Sequence, residues 1–148
     1  MRSIGKKICA GALALVMSVS MLPGAALAAE SLDNFQKVNT YTAGTFTDVA
    51  ADSWYAGNVK DAYELDLVKG SSATTFSPTQ NITTGSALAL SCRLHSIYHT
   101  GKADFQQGEP WYQVYVDYAI SNDIIASDEF TDYNATATRR QFAGILAK

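Results

Sequence analysis

A motif of about 50 residues occurs twice in this chain, and this repetition constrains the fold more than any single motif does. The first copy begins near Thr45 and the second follows from Glu109 onward. In the first copy its order is a short opening turn, a tryptophan-led amphipathic segment, a glycine and a Phe-Ser-Pro turn before a second apolar segment. Much of this order recurs in the second copy, which lacks a clear opening motif. The paired positions are Trp54 with Trp111, Tyr55 with Tyr112, Val59 with Val116, Ala62 with Ala119, Tyr63 with Ile120, Leu67-Val68 with Ile124-Ile125, Phe76 with Tyr133, and Ile82-Thr83 with Ala137-Thr138. Because the matches fall on apolar positions, the two copies are predicted to share one packing geometry.

The first amphipathic segment predicts a helix from Trp54 to about Leu67, with its apolar side chains on one face. Asp52 or Ser53 is the expected N-cap, because either side chain can accept a first-turn N–H. Gly70 is the expected residue after the helix end, where a left-handed backbone favours glycine. The charged side chains Lys60, Asp61 and Glu64 are predicted to face away from the core.

A second helix is predicted from about Thr84 to His99, with Gly101 ending it. Pro110 and Trp111 then restart the pattern, since proline suits the first turn of a helix. The second copy has Val114, Tyr115 and Tyr118 where the first has Gly57, Asn58 and Asp61, so its helix is predicted to bury more surface. The fold class is therefore mainly α, built from tandem helix-loop-helix repeats.

The first 28 residues have the pattern of a secretory signal peptide rather than of a folded segment. Arg2, Lys6 and Lys7 precede an apolar run over residues 8–22, and Ala26-Leu27-Ala28 is a small-x-small cleavage signature. The alternative is an uncleaved anchor, but the run is shorter than the roughly 20 residues that span a membrane. The predicted organisation is a signal peptide at 1–28, a lead-in or linker at 29–44, repeat one at 45–101 and a shortened repeat two at 102–148.

Composition excludes several classes of partner. Removing three basic residues with the signal peptide leaves 8 of the 11 Lys and Arg against 14 Asp and Glu, a net charge of −6. Such a chain is predicted to bind neither nucleic acid nor, after cleavage, membranes. A local group of arginines could still bind an anionic ligand. Cys92 has no partner for an internal disulfide after cleavage and is expected to be a small hydrophobic side chain on a helix.

No catalytic pattern stands out in the sequence. Cys92, His95 and His99 lie on one flank of the second helix and could chelate zinc or copper, but a packing role is favoured. The acidic residues between Asp123 and Asp132 are interpreted as turn caps rather than as a glycosidase pair or a calcium loop. The chain has no Gly-x-Ser-x-Gly elbow and no Gly-rich phosphate loop. We therefore expect no enzymatic activity, no cofactor and no metal.

With these motifs in view, the chain resembles the S-layer homology family over nearly all of its predicted mature length. The resemblance rests on Phe46-Thr47-Asp48-Val49, Trp54, Ala62, Leu67-Val68-Lys69-Gly70, Thr75-Phe76-Ser77-Pro78, Ile82-Thr83, and Ala137-Thr138-Arg139-Arg140-Gln141-Phe142. It implies a non-enzymatic module of Gram-positive and related bacteria that anchors proteins in the cell wall. Such modules bind secondary cell-wall polysaccharide, often through pyruvylated sugars. Three units commonly form a pseudo-threefold helical bundle, with ligand grooves between neighbouring units.

The resemblance also implies which residues bind the glycan. Arg139 matches the arginine of the family's Thr-Arg-Ala-Glu motif, and Arg140 could supply the same bidentate guanidinium. Trp54 and Trp111 are candidates for stacking on a sugar ring, with core packing as the alternative. Gly70 would allow close backbone approach. Asp48 is expected to shape the groove by forming a turn or cap.

Two departures from the family pattern bear on function. Thr84 stands where the first copy should have its arginine, and Ser86 stands where it should have an acid. Only two units are present, so either self-association completes a three-unit bundle or the chain is a degenerate or truncated member of the family. The leading hypothesis is a secreted cell-wall protein that binds anionic wall polysaccharide. The alternative is a structural or partner-binding surface protein that keeps the fold and has lost glycan affinity.

Overall fold

The computed structural model describes residues 29–148 and shows a mainly helical chain, as predicted. After a 3-10 helix at Leu32–Asn34 come α1 (Ala56–Glu64), α2 (Thr84–Thr100), α3 (Gln113–Ser121) and α4 (Arg139–Leu146). This part of the chain contains no β-strand, only one isolated antiparallel bridge between Thr83 and Thr136. Within it, no helix is long and apolar enough to cross a membrane. The predicted signal peptide lies outside the described residues.

The two copies repeat the same backbone geometry. Helices α1 and α3 each have nine residues and begin two residues after a tryptophan. Each is followed by an aspartate in the left-handed region, Asp66 with φ 58° and Asp123 with φ 56°. The same pair of hydrogen bonds closes each helix: Leu67 N to Ala62 O (2.9 Å) and Val68 N to Ala62 O (3.3 Å), and Ile124 N to Ala119 O (2.8 Å) and Ile125 N to Ala119 O (3.3 Å). The boundaries at 45–101 and 102–148, and a threefold arrangement of units, stay predictions.

Helix α1 is shorter than the sequence predicted. It ends at Glu64 rather than near Leu67, because Asp66 turns the backbone into a conformation that a right-handed helix cannot contain. The predicted N-cap is also wrong. Tyr55 occupies that position without a side-chain cap, and the Ser53 carbonyl accepts from Ala56 N in a preceding turn at 3.0 Å. By contrast, α2 begins and ends almost as expected, with Thr83 capping its start and Gly101 (φ 76°) its end.

The core is centred on α2, which packs against α3, α4 and the 3-10 helix. One cluster of buried residues joins α2 to the second copy: Ala87, Leu88, Cys92, Tyr115, Val116, Ala119, Ile124, Ile125 and Ile145. The cluster in the first copy is smaller, with Phe46, Val49 and Val59. The prediction that the second copy buries more of its helix is therefore confirmed. Cys92 is buried as expected, its thiol donates to Tyr115 O at 3.4 Å, and burial raises its pKa to about 12.

Residues 29–44 are attached to the first copy by a buried carboxylate, Glu64. The sequence placed this side chain on the solvent face, but it is only 7% exposed. Its Oε2 atom accepts from Lys37 Nζ at 2.7 Å and from Lys60 Nζ at 2.6 Å. The backbone N–H groups of Val38 and Asn39 donate to the Glu64 carbonyl at 2.9 and 3.2 Å. Amphipathic periodicity could not reveal this, because the covering segment comes from before the repeat.

Candidate ligand groove

A groove of about 390 Å³ lies between the two copies and is the principal candidate site. We call it the inter-repeat groove. Three parts of the first copy line it: the loop at 67–71, the turn and loop at 76–82, and one face of α2. The second copy contributes Trp111 and Tyr115. Hydroxyl and amide side chains alternate there with apolar ones, a lining that can hydrogen-bond a polar ligand while covering its flat surfaces.

Asp48 does not line this groove, but it holds in place the turn at Phe76 and Ser77, which does. Its Oδ1 accepts from Phe76 N at 2.8 Å and its Oδ2 accepts from Ser77 N at 2.7 Å. Ser77 has φ 62°, so the carboxylate holds a turn that is otherwise strained for a residue with a side chain. The hydrogen bond from Phe76 N is the main cause that lowers the Asp48 pKa. Asp48 thus has the turn-forming role expected from the sequence.

Gly70 lies in the wall of the groove and cannot be replaced there without strain. Its φ is +85°, and a Cβ atom would lie 2.5 Å from Phe46 Cε1 and 2.6 Å from Thr75 O. It follows the end of α1 by six residues, so it serves the loop and not the helix end as predicted. The expected need for a left-handed glycine is confirmed. The absent side chain is what lets the loop close over Phe46.

Trp111 is the aromatic surface of the inter-repeat groove, with 37% of its area exposed. It packs beside the start of α2, where a Cβ on Gly85 would lie 3.5 Å from Trp111 Cζ2 and 3.2 Å from Tyr112 Cβ. The backbone N–H of Gly85 donates to Tyr133 O at 2.7 Å. Glycine therefore permits the close approach of the two copies, and Trp111 keeps part of one surface available to a ligand.

The other predicted ligand residues lie outside this groove. Trp54 is 88% exposed at the start of the first copy. Arg139 and Arg140 are exposed at the start of α4 and do not line the groove. The structure thus brings Gly70 and Trp111 together, with Asp48 behind them. It separates these residues from both arginines and from Trp54.

The position that should hold the first copy's arginine is closed. Thr84 is 2% exposed, and its backbone N–H donates to Ala135 O at 2.9 Å. Lys69 is instead an exposed cation in the groove lining, and no acidic side chain within residues 29–148 forms an ion pair with it. An anionic ligand would meet Lys69 there as a point charge rather than a guanidinium fork.

Sequence reasoning missed Arg93, which joins the walls of the groove. This side chain is 2% exposed, its Nε donates to Asp66 O at 2.6 Å, and its Nη1 donates to Tyr115 Oη at 3.5 Å. Its Nη2 contacts the Asp66 carboxylate as an ion pair without a well-directed hydrogen bond. One signal could have found it: Arg93 follows Ser86 by seven residues and so shares its helix face.

The histidines of α2 are engaged with protein groups. His95 Nδ1 lies 2.9 Å from Tyr118 Oη, and His99 Nδ1 lies 3.0 Å from Glu30 Oε1. The Cys92 thiol points into the core towards Tyr115. Within residues 29–148, no three His, Cys, Asp or Glu side chains are grouped so that they could hold a metal ion.

Comparison with known proteins places the first copy in a family. The family model described as S-layer homology domain matches residues 45–87. An endoglucanase of Bacillus sp. (strain KSM-635) is 27% identical over 139 residues, covering 92% of this chain and 14% of that protein. The chain thus spans about one seventh of that relative's length. No solved structure gives a significant match. Residues 45–87 of this chain therefore form an S-layer homology domain.

Proposed function

We propose that this chain is an exported bacterial cell-surface protein that binds secondary cell-wall polysaccharide non-covalently through the inter-repeat groove. The S-layer homology domain indicates association with the cell surface. The observation that carries the finer proposal is the half-exposed ring of Trp111, which faces a groove with the Gly70 backbone and Lys69 in its wall. An aromatic face beside polar groups suits a sugar ring, because the ring covers apolar C–H surface while hydroxyls and amides take its hydrogen bonds.

The proposed ligand is an anionic glycan, such as a pyruvylated sugar. Lys69 would attract its carboxylate within the inter-repeat groove. Arg139 and Arg140 would add a guanidinium site at the start of α4, where free N–H groups also favour anions. The proposal therefore assigns neutral ring contacts to Trp111 and Gly70 and charge recognition to the three cations.

Retention on isolated cell walls tests this proposal. We expect the purified chain to sediment with walls and to lose most of that retention after chemical removal of pyruvyl groups. Trp111→Ala and Lys69→Ala should each weaken retention about tenfold, the scale of one well-placed contact. Lys102→Ala is the matched control, because Lys102 is also exposed and lies outside the groove. Unchanged retention in both groove variants, with folding verified by circular dichroism, would contradict the proposal.

One observation favours a second function. The buried Thr84 removes the family's arginine from the inter-repeat groove, so the fold could serve a structural or protein-binding role without glycan affinity. A well-folded chain that does not sediment with walls, whether or not they carry pyruvyl groups, would support this alternative.

We further infer that the chain is not an enzyme. The relative's name is endoglucanase, but the segment shared with this chain is 14% of that protein and contains the part that matches the S-layer homology domain. The shared segment is therefore better interpreted as an anchoring module. Measurable endoglucanase activity of the purified chain, abolished by a single carboxylate substitution, would refute this inference.

A further inference from the structure

Trp54 and Trp111 occupy equivalent positions in the two copies but differ greatly in exposure. Each stands two residues before its helix and packs edge-to-face on the following tyrosine, with ring centroids 5.5 and 5.8 Å apart. Nevertheless Trp54 is 88% exposed and Trp111 is 37% exposed. Since the local geometry is the same, the difference comes from what covers each ring.

The surface that covers Trp111 is the start of α2 in the other copy. Beside the ring, two backbone N–H groups of α2 donate to carbonyls of the second copy: Thr84 N to Ala135 O at 2.9 Å and Gly85 N to Tyr133 O at 2.7 Å. This contact is a head-to-tail interface between one copy and the next. It therefore shows which two surfaces of a repeat unit fit together.

The second copy carries the equivalent surface at the start of α4, where residues 138–140 are exposed and no part of residues 29–148 covers them. Thr138 caps α4 as Thr83 caps α2, with the hydroxyl accepting from the third residue's N–H at 3.2 and 3.1 Å. Arg139 and Arg140 follow Thr138 as Thr84 and Gly85 follow Thr83. Within residues 29–148, the backbone N–H groups of both arginines lack the carbonyl partners that Thr84 and Gly85 have.

The first copy carries the complementary surface. Phe76 and Pro78 precede Tyr133 and Ala135 by the 57 residues that separate Trp54 from Trp111. In the described part of the chain, the carbonyl oxygens of Phe76 and Pro78 accept no backbone hydrogen bond. The first copy thus presents an exposed indole and two carbonyls without backbone donors, and the second copy presents two N–H donors beside two guanidinium groups.

We propose that a second copy of this chain docks head-to-tail, seating its Trp54 on the start of α4 as Trp111 is seated on the start of α2. In this contact Arg139 N donates to Pro78 O of the second copy, and Arg140 N faces its Phe76 O. A Cβ at the equivalent Gly85 would lie 3.0 Å from Tyr133 O and 3.2 Å from Tyr112 Cβ, so the two surfaces stand a few tenths of an ångström further apart here than at the start of α2. Arg140 occupies the position in α4 that is equivalent to Gly85 in α2. The Trp54 indole of the second copy therefore stands further from α4, and the Arg140 guanidinium lies over the face of that indole. The contact is heterologous, so it forms a ring or an open chain of copies.

This docking would give Arg140 an aromatic neighbour that residues 29–148 of a single chain do not provide. Trp54 of one copy would stand beside Arg140 of the other, as Trp111 stands beside Gly85. A second groove with both a guanidinium and a tryptophan would therefore form between copies. Only the use of this second groove by a glycan rests on the proposed function, because the docking itself needs no glycan.

Sedimentation velocity of the purified chain without glycan, over about 1 to 300 µM, tests the docking. We expect concentration-dependent association that Trp54→Ala weakens about tenfold or more, as truncation of a central tryptophan usually does.

Arg139→Pro should weaken this association as well, because it removes one N–H donor while proline suits the first position of a helix. Comparison with Arg139→Ala separates the loss of the N–H from the loss of the guanidinium. Leu32→Ala, which truncates another exposed apolar residue, should leave association unchanged.

A mixing experiment tests the head-to-tail geometry. Trp54→Ala and Arg139→Pro chains each keep one intact surface, so their equimolar mixture should associate more strongly than either variant alone. A chain that is monomeric throughout the concentration range would overturn the proposal, as would association that survives both substitutions. In a Trp111→Phe chain Trp54 is the single remaining tryptophan. A fluorescence shift of that chain with added wall polysaccharide, while the mass stays monomeric, would mean that the Trp54 indole binds glycan instead. Association without wall retention would refute the proposed function and leave the docking intact.

Discussion

Arg93 Nε donates to the main-chain carbonyl of Asp66 across 2.6 Å, while the Arg93 guanidinium also pairs with the Asp66 carboxylate. The first residue belongs to α2 and the second to the left-handed turn after α1. This contact fixes the loop at 67–71 against α2. The same side chain reaches Tyr115 of the second copy, so one cation links both walls of the inter-repeat groove.

Arg93→Met should lower the free energy of unfolding by about 3 kcal/mol, because it leaves the Asp66 carboxylate and carbonyl without their buried partner. Chemical denaturation followed by circular dichroism measures this. Asp66→Asn in the same chain should recover part of the loss, since the uncompensated charge is then absent. Equal stability of Arg93→Met and the parent chain would show that the pair contributes no net stability.

The sequence was sufficient to predict the parts of the fold that depend on local spacing. The equivalence of Trp54 and Trp111 follows from the repetition, and the bounds of α2, predicted at about Thr84 to His99 and found at Thr84–Thr100, follow from apolar periodicity. The predicted cap at Asp52 or Ser53 failed, because Tyr55 precedes α1 without a side-chain cap. The burial of Glu64 could not be predicted in this way, because it depends on Lys37, which lies 27 residues earlier in the chain. Arg93 was missed for the same reason, since its partner Asp66 is also 27 residues away.

The sequence identified individual residues of the candidate site, but it did not show which of them lie together in one groove. Gly70 and Trp111 meet in one groove, whereas Arg139 lies elsewhere. A motif match assigns a residue to a repeat unit, but it does not say which neighbouring unit that residue faces. In a chain with two units, only one of the head-to-tail contacts can be made internally. The residues of the other contact, Trp54 on the first copy and Arg139 on the second, therefore remain exposed.

Gly70→Ala should destabilise the chain by about 2 kcal/mol or more, because the substitution combines a positive φ with a backbone contact that cannot move aside. Gly57→Ala is the matched control. Gly57 lies within α1 and a Cβ there meets nothing within 4 Å, so alanine should stabilise the helix by about 0.5 to 1 kcal/mol. Thermal or chemical unfolding of the two variants measures this contrast. Equal effects of the two substitutions would refute the strained-loop interpretation.

Asp48→Asn should weaken wall retention without changing any residue that lines the groove. An amide side chain can accept only one of the two N–H groups that the carboxylate now accepts, so the Phe76–Ser77 turn should loosen. We expect a several-fold loss of retention, on the scale of one ordinary hydrogen bond, because the turn acts on the ligand only through the groove wall. Asp33→Asn, which alters an exposed aspartate outside the groove, should have no effect. Retention equal to that of the parent chain would mean that the turn does not position the ligand.

The stability of the chain should fall as pH decreases from about 4.5 towards 2, and Glu64 should be a main cause. Hydrogen bonds from Lys37 and then Lys60 lower its pKa from 4.5 to about 2 in the folded chain. The unfolded chain therefore binds a proton at higher pH than the folded chain does, and the stabilisation is complete above pH 4.5 and lost as pH falls through the folded pKa.

Glu64→Gln should reduce the free energy of unfolding at pH 7 and flatten its dependence on pH between pH 2 and 4.5. Glu109→Gln, at an exposed glutamate, should leave that dependence unchanged. Chemical denaturation at several pH values measures both variants, and the same slope for Glu64→Gln as for the parent chain would exclude Glu64 as the titrating group.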